Sequence, residues 1–160
     1  MMQKGFTLVE LVITLIVLAL LAALAIPKFI NLTSQSRIAA LQQINTSVTV
    51  ANDFMFFKSQ LPSYAAQPVP NRDDLIDVDT NGDGTYDTRL KWFYLDNTDI
   101  EKRIDLSEDF IIEYQGYTDT YIGYDFSLDG AVRDDLCYFR YTQAAAANTP
   151  PQYQLETSGC

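Results

Sequence analysis

The stretch FTLVELVITLIVLALLAALAI, residues 6–26, decides the class of this chain. It holds 21 residues with a single charge, Glu10. As a helix rising 1.5 Å per residue it would be about 32 Å long, enough to cross the hydrocarbon core of a bilayer. An ordinary secretory signal peptide is the competing reading. Against it stand a basic leader of only five residues, MMQKG, and an apolar run too long for a typical h-region. No small-residue cleavage site leads into a plainly soluble sequence; Pro27-Lys28 comes next, and an amphipathic pattern continues. The segment reads as an anchor that is kept. Glu10 is its anomaly, because a carboxylate near the start of an apolar helix needs water or a partner. Either it sits at headgroup level, or a neighbouring subunit supplies a positive charge. A free N-terminal amine would serve only if the chain were cut just before Phe6.

Residues 27–160 read differently from this run. The whole chain has 160 residues, a net charge of −10, two cysteines and no histidine. Lys4, Lys28, Arg37 and Lys58 outnumber Glu10 and Asp53 in residues 1–60, a balance of +2, so residues 61–160 carry −12. The lack of histidine removes Ser-His triads, Cys-His pairs and imidazole metal sites. The acidity argues against a nucleic-acid partner, which requires a basic face. No nucleophile motif or glycine-rich phosphate loop points to an enzyme, so an anchored periplasmic enzyme is the weakest of the functional classes.

Pro27 lacks an N–H and its ring opposes the carbonyl of Ala23, which predicts a kink or loosening there. Beyond it Ile30, Ile38, Leu41, Ile44, Val48, Ala51 and Met55 recur at spacings of three and four, one apolar face of a helix running to about Lys58. Residues 61–88, rich in proline, glycine and aspartate, read as loop. Then Arg89–Leu95, Phe110–Tyr114, Thr120–Phe126, Cys137–Tyr141 and Tyr153–Leu155 are candidate strands, with Asp129-Gly130 a hairpin signal. The fold class is α+β: a long N-terminal helix whose amphipathic half packs on an antiparallel sheet of about four strands.

Within the acidic stretch, Asp77, Asp79, Asn81, Asp83, Thr85 and Asp87 place an oxygen ligand at every second position. Asp79, Asn81, Asp83, Gly84 and Asp87 match the first, third, fifth, sixth and ninth positions of an EF-hand-type loop, but Leu90 stands where the bidentate glutamate belongs. The expectation is a calcium ion that orders the loop; a solvated acidic turn is the alternative. Cys137 and Cys160, an even count in an exported chain, suggest a disulfide. In the chain-entropy picture it would contribute about 3–4 kcal/mol.

Lys4-Gly5-Phe6-Thr7-Leu8-Val9-Glu10-Leu11 resembles the leader and cleavage site of type IV prepilins and type II secretion pseudopilins. The resemblance implies a type IV pilin fold and a cut between Gly5 and Phe6 by a prepilin peptidase, followed by N-methylation of Phe6. It also implies that Glu10 pairs with the Phe6 amine of a neighbouring subunit, and that the helix near Pro27 unwinds in the fibre. Its partners would be identical subunits in a helical filament and the inner-membrane assembly machinery. Its location would be the inner membrane, then a surface pilus of a Gram-negative bacterium. The division implied is a leader at 1–5, an assembly helix at 6–26, an amphipathic helix at 27–60, an acidic loop at 61–88, and a sheet with its disulfide region at 89–160. The stretches 27–32 and 137–160 are similar to the mannose-sensitive haemagglutinin branch of type IVa pilins. The function so implied is that of a major pilin, serving attachment and retraction-driven motility. A pseudopilin and a minor pilin share the same leader.

Overall fold

A computed structural model describes residues 7–61 and 65–160, and residue 27 by its backbone alone. The chain divides into two compact units, residues 1–37 and 38–160. Helix α1, Leu8–Ser59, contributes to both.

In the first unit α1 carries the apolar run. It is the one helix among the described residues long and apolar enough to cross a membrane. Helical structure continues through residue 27, where the sequence predicts a kink or loosening. One missing N–H does not end a helix with long apolar, helix-forming flanks on both sides, where the remaining backbone bonds have no competing solvent.

In the second unit α1 turns Leu41, Ile44, Val48 and Met55 inward, all buried. This is the stripe read from the sequence except at its start, where Ile30 is exposed, and it packs into a core with Val78, Leu90, Leu95, Ile122, Phe139 and Tyr141. The helix ends in tighter turns: Gln60 N–H donates to Phe57 O and Leu61 N–H to Lys58 O, at 3.2 and 3.1 Å.

Among the described residues two four-stranded antiparallel sheets complete this unit, rather than one sheet of about four. The first has the order β1 (Ala66–Val69), β2 (Arg72–Val78), β3 (Thr88–Lys91), β4 (Tyr94–Leu95). The second is β5 (Ile111–Gln115), β6 (Asp119–Gly123), β7 (Tyr138–Thr142), β8 (Gln152–Glu156). The α+β class holds. Residues 61–88 are corrected from a loop: β1 and β2 form a hairpin there, with Asn71 at φ 61° in its turn. Acidic composition hid a strand. Leu75 and Val78 are buried, while Asp74 and Asp77 are engaged by Arg72 and Arg89 at 2.7 Å each. Arg89–Leu95 is likewise two strands. Trp92 and Phe93 both have positive φ, 51° and 74°, and reverse the chain so that Leu90 pairs with Leu95.

Gly123 ends β6 where a side chain cannot fit, since an added Cβ would overlap the Cys137 carbonyl oxygen. Gly159 has the same role against the Asp135 carbonyl.

Candidate functional site

The exposed surface of the first unit is its most informative feature. Leu8, Val9, Leu11, Ile13, Leu15, Ile16 and Leu18 all present at least half of their surface, and the pattern continues to Leu32. A helix that is apolar all round stabilises no soluble fold and demands lipid or other apolar helices as its surroundings. Its few hydroxyls fit such a medium. Thr14, Thr33 and Ser36 donate back to the carbonyls of Leu11, Phe29 and Leu32 at 2.7, 3.0 and 2.8 Å. Each of these three hydroxyls is thereby satisfied within the helix itself.

Glu10 lies in the first turn and has a local partner that sequence reasoning missed. Its Oε2 accepts from the Thr7 N–H at 3.3 Å and from Thr7 Oγ1 at 3.2 Å, while its own N–H donates to Thr7 Oγ1 at 3.3 Å. This is a reciprocal capping box, and the signal that could have found it is the spacing Thr7-x-x-Glu10. A negative side chain at a helix N-terminus also meets the positive end of the dipole. Gly5 and Phe6, the proposed cleavage and methylation positions, lie outside the described residues.

In the second unit, α1 leaves a further apolar strip uncovered. Val50, Phe54, Phe57 and Leu61 recur at helical spacing and are all more than half exposed. The opposite face is fixed by Asn52, fully buried, which accepts the Leu95 N–H at 2.8 Å. Tyr141 Oη donates to Leu95 O at 2.6 Å and lies 3.4 Å from Asn52 Oδ1. Burial raises the Tyr141 hydroxyl well above its usual range.

The two cysteines form the expected bridge, Cys137–Cys160, with Cα atoms 4.8 Å apart. It joins the residue before β7 to the chain end, which is further held by Gly159 N–H donating to Leu136 O at 2.9 Å.

The residues read as calcium ligands divide into two sets. Asp77 lies in β2 and forms a two-pronged ion pair with Arg89, at 2.7 and 2.9 Å. Asp87 accepts from the hydroxyls of Thr80 and Thr88. Asp79, Asn81, Asp83 and Thr85 share one tight turn. Asp79 accepts from Gly82 and Gly84 N–H, Asn81 from Asp83 N–H, and Asp83 from Thr85 N–H. The hydrogen bond from the Asn81 side chain, followed by that from Thr85, holds the Asp83 carboxyl below the usual carboxylate range. Among the described residues no three acidic or cysteine side chains stand close enough to hold a metal ion.

The segment 125–131 repeats this scheme, which the sequence reading treated only as a hairpin signal. Asp125 accepts from Leu128 and Gly130 N–H at 2.6 and 2.8 Å, and Asp129 from Ala131 N–H at 2.9 Å. Leu128 and Gly130 have φ of 60° and 86°, as Gly82 and Gly84 have 81° and 87°. The signal was the run Asp125-x-Ser127-x-Asp129-Gly130, spaced like Asp79-x-Asn81-x-Asp83-Gly84.

Comparison with known proteins supplies two further findings. The prokaryotic N-terminal methylation motif matches residues 1–26. The type IV narrow pilus major component PilA5 of Thermus thermophilus is 28% identical over 120 residues, covering 75% of this chain and 95% of that protein. No solved structure matches.

Proposed function

We propose that this chain is a structural subunit, the major pilin, of a type IV pilus. One observation carries the reading: an apolar helix with all its faces exposed is continuous in sequence with a fully packed α+β unit. That helix requires membrane before assembly and other copies of itself afterwards. The methylation motif at 1–26 and the pilus component similar over three quarters of the chain support it. The uncovered strip from Val50 to Leu61 gives the second unit an apolar surface for the same purpose.

In this reading a prepilin peptidase cuts between Gly5 and Phe6 and Phe6 is N-methylated. Glu10 then passes from its Thr7 cap to the Phe6 amine of a neighbour. A carboxylate in apolar surroundings is costly without a partner, so an out-of-register subunit is disfavoured. Unwinding near Pro27 belongs to the assembled fibre, and attachment with retraction is its use. The source is a Gram-negative bacterium, and the finer assignment is the mannose-sensitive haemagglutinin branch. The Cys137–Cys160 bridge and the residues around it support that branch.

Calcium ordering of the 79–87 loop is a separate proposal. The alternating oxygen side chains and the amides that orient Asp79, Asn81 and Asp83 support it. Millimolar calcium should raise the melting midpoint over that of a chelated sample, and equal midpoints would overturn it.

The test of the main reading is intact mass spectrometry of filaments sheared from the cell surface. The expected dominant species begins at N-methylated Phe6 and carries the closed disulfide. A processed chain confined to the membrane, and missing from the sheared fraction, would replace the major pilin by a pseudopilin or minor pilin. An uncut chain would remove the pilin reading altogether.

A further inference from the structure

We propose that Asp79 and Asp125 protect the chain's Asn-Gly and Asp-Gly dipeptides against succinimide formation, by holding the glycine nitrogen that would attack. The sequence has three such pairs: Asn81-Gly82, Asp83-Gly84 and Asp129-Gly130. All six residues are exposed, so burial does not shield them.

The chemistry at Asn81-Gly82 runs through the backbone nitrogen of the glycine, which has no side chain to obstruct it. That nitrogen loses its proton and bonds to the Asn81 Cγ. The Cγ–Nδ2 bond breaks, ammonia departs with a proton, and a five-membered ring closes. Water then opens the ring at either carbonyl, leaving aspartate or isoaspartate. At Asp83-Gly84 and Asp129-Gly130 the group expelled is water, from a protonated carboxyl. Ring opening consumes one water again, so the product is aspartate or isoaspartate of unchanged composition.

All three nitrogens are held. Gly82 N–H donates to Asp79 Oδ1 at 2.7 Å and Gly84 N–H to Asp79 Oδ2 at 2.8 Å. Gly130 N–H donates to Asp125 Oδ2 at 2.8 Å. A carboxylate against an N–H opposes its deprotonation, because the anion formed would face a like charge. The nitrogen must also leave a charge-assisted hydrogen bond before it can swing toward Cγ.

The electrophiles are restrained as well. Asn81 Nδ2 donates to Asp83 Oδ2 at 2.9 Å and Asn81 Oδ1 accepts the Asp83 N–H at 3.1 Å. Asp83 Oδ1 accepts from Thr85 N–H at 2.7 Å, and Asp129 Oδ1 from Ala131 N–H at 2.9 Å. Two loops unrelated in chain position thus share one device, and Asp79 serves two dipeptides at once.

The test is peptide mapping of the full chain in detergent with a chelator present, aged at mildly alkaline pH to read Asn81 and at mildly acidic pH to read Asp83 and Asp129. Asp79→Asn and Asp125→Asn are aged beside the wild type, and a urea-unfolded sample serves as reference. Loss of one charge-assisted hydrogen bond corresponds to roughly a ten- to hundred-fold rate increase. We expect Asp79→Asn to accelerate conversion at Asn81 and Asp83 by that factor and to leave Asp129 unchanged, with Asp125→Asn giving the reverse. Three outcomes would overturn the proposal: a wild-type rate equal to the unfolded rate, variants that age like the wild type, or acceleration at all three positions in either variant. The last would indicate general loosening. None of these outcomes bears on filament assembly.

Discussion

Replacing Asn52 by Leu tests what ties the helix to the sheets. Asn52 is the buried polar residue of α1 that reaches across to β4, accepting the Leu95 N–H at 2.8 Å. Its Nδ2 donates to Val48 O at 3.2 Å, inside the helix. Leucine has the same branching at Cγ and is no smaller, so the substitution removes hydrogen bonding without opening a cavity. Leu95 is fully buried and its N–H has nowhere else to go. A buried donor left without an acceptor costs about 1–3 kcal/mol. The Val48 carbonyl keeps its helical bond and adds little. The expected loss is therefore about 1–3 kcal/mol, which for a unit of this size lowers the melting midpoint by roughly 4–12 °C. Trp92, the single tryptophan, lies in the β3–β4 turn beside the affected strand, so its fluorescence during thermal unfolding of the full chain in detergent is a direct assay. Tyr141→Phe removes the bond to Leu95 O at 2.6 Å, and because both changes act on the backbone of one residue, the double variant should lose less than the sum. A midpoint within about 2 °C of wild type for Asn52→Leu would refute the reasoning, since it would mean that Leu95 N–H is satisfied without Asn52.

Further outcomes follow from the same structure. Reducing the Cys137–Cys160 bridge should cost about 3 kcal/mol and free the C-terminal strand β8 first, seen as rapid amide exchange over 152–156; unchanged protection there would show that Gly159 and the β7–β8 pairing suffice alone. Glu10→Leu should leave membrane insertion and processing intact while abolishing filaments, and normal fibres from that variant would sink the intersubunit pairing. Asp119 is raised by burial, but hydrogen bonds from Thr142, Thr118 and Arg140 outweigh this and lower its pKa. Its stabilisation is therefore present above the unfolded value of about 3.9 and lost as pH falls through the lower folded value. Asp119→Asn should flatten the acid limb of a stability–pH curve below about pH 4, and an unaltered limb would count against that role. Gly159→Ala should hinder closure of the disulfide, because its Cβ meets the Asp135 carbonyl; full oxidation at the wild-type rate would contradict that fit.

What the sequence disclosed, and what it concealed, follows from the range of the forces involved. The apolar run and the stripe Leu41, Ile44, Val48, Met55 were legible because helical periodicity is local and a buried face must be apolar along its whole length. The bridge was legible because two cysteines in an exported chain have one pairing. Strand β2 was concealed because aspartates at 73, 74 and 77 look like loop composition, and only the cross-strand partner Arg89 and the intrastrand Arg72 make two of them compatible with a sheet. The turn at Trp92-Phe93 was concealed because positive φ is normally signalled by Asn or Gly; here the pairing of Leu90 with Leu95 imposes it on two aromatic residues. The same ambiguity decides the acidic loop. Oxygen side chains at alternate positions with intervening glycines are the composition of a cation site, and equally of a turn whose carboxylates cap their own amides. Asp79 binding Gly82 and Gly84, and Asp125 binding Leu128 and Gly130, are the second kind of use. A carboxylate accepting two amides is already stabilised in its charged form. An ion arriving at Asp79 would have to add to those bonds, and drawing Asp83 and Asp87 toward it would compete with the bonds they accept from Thr85, Thr80 and Thr88.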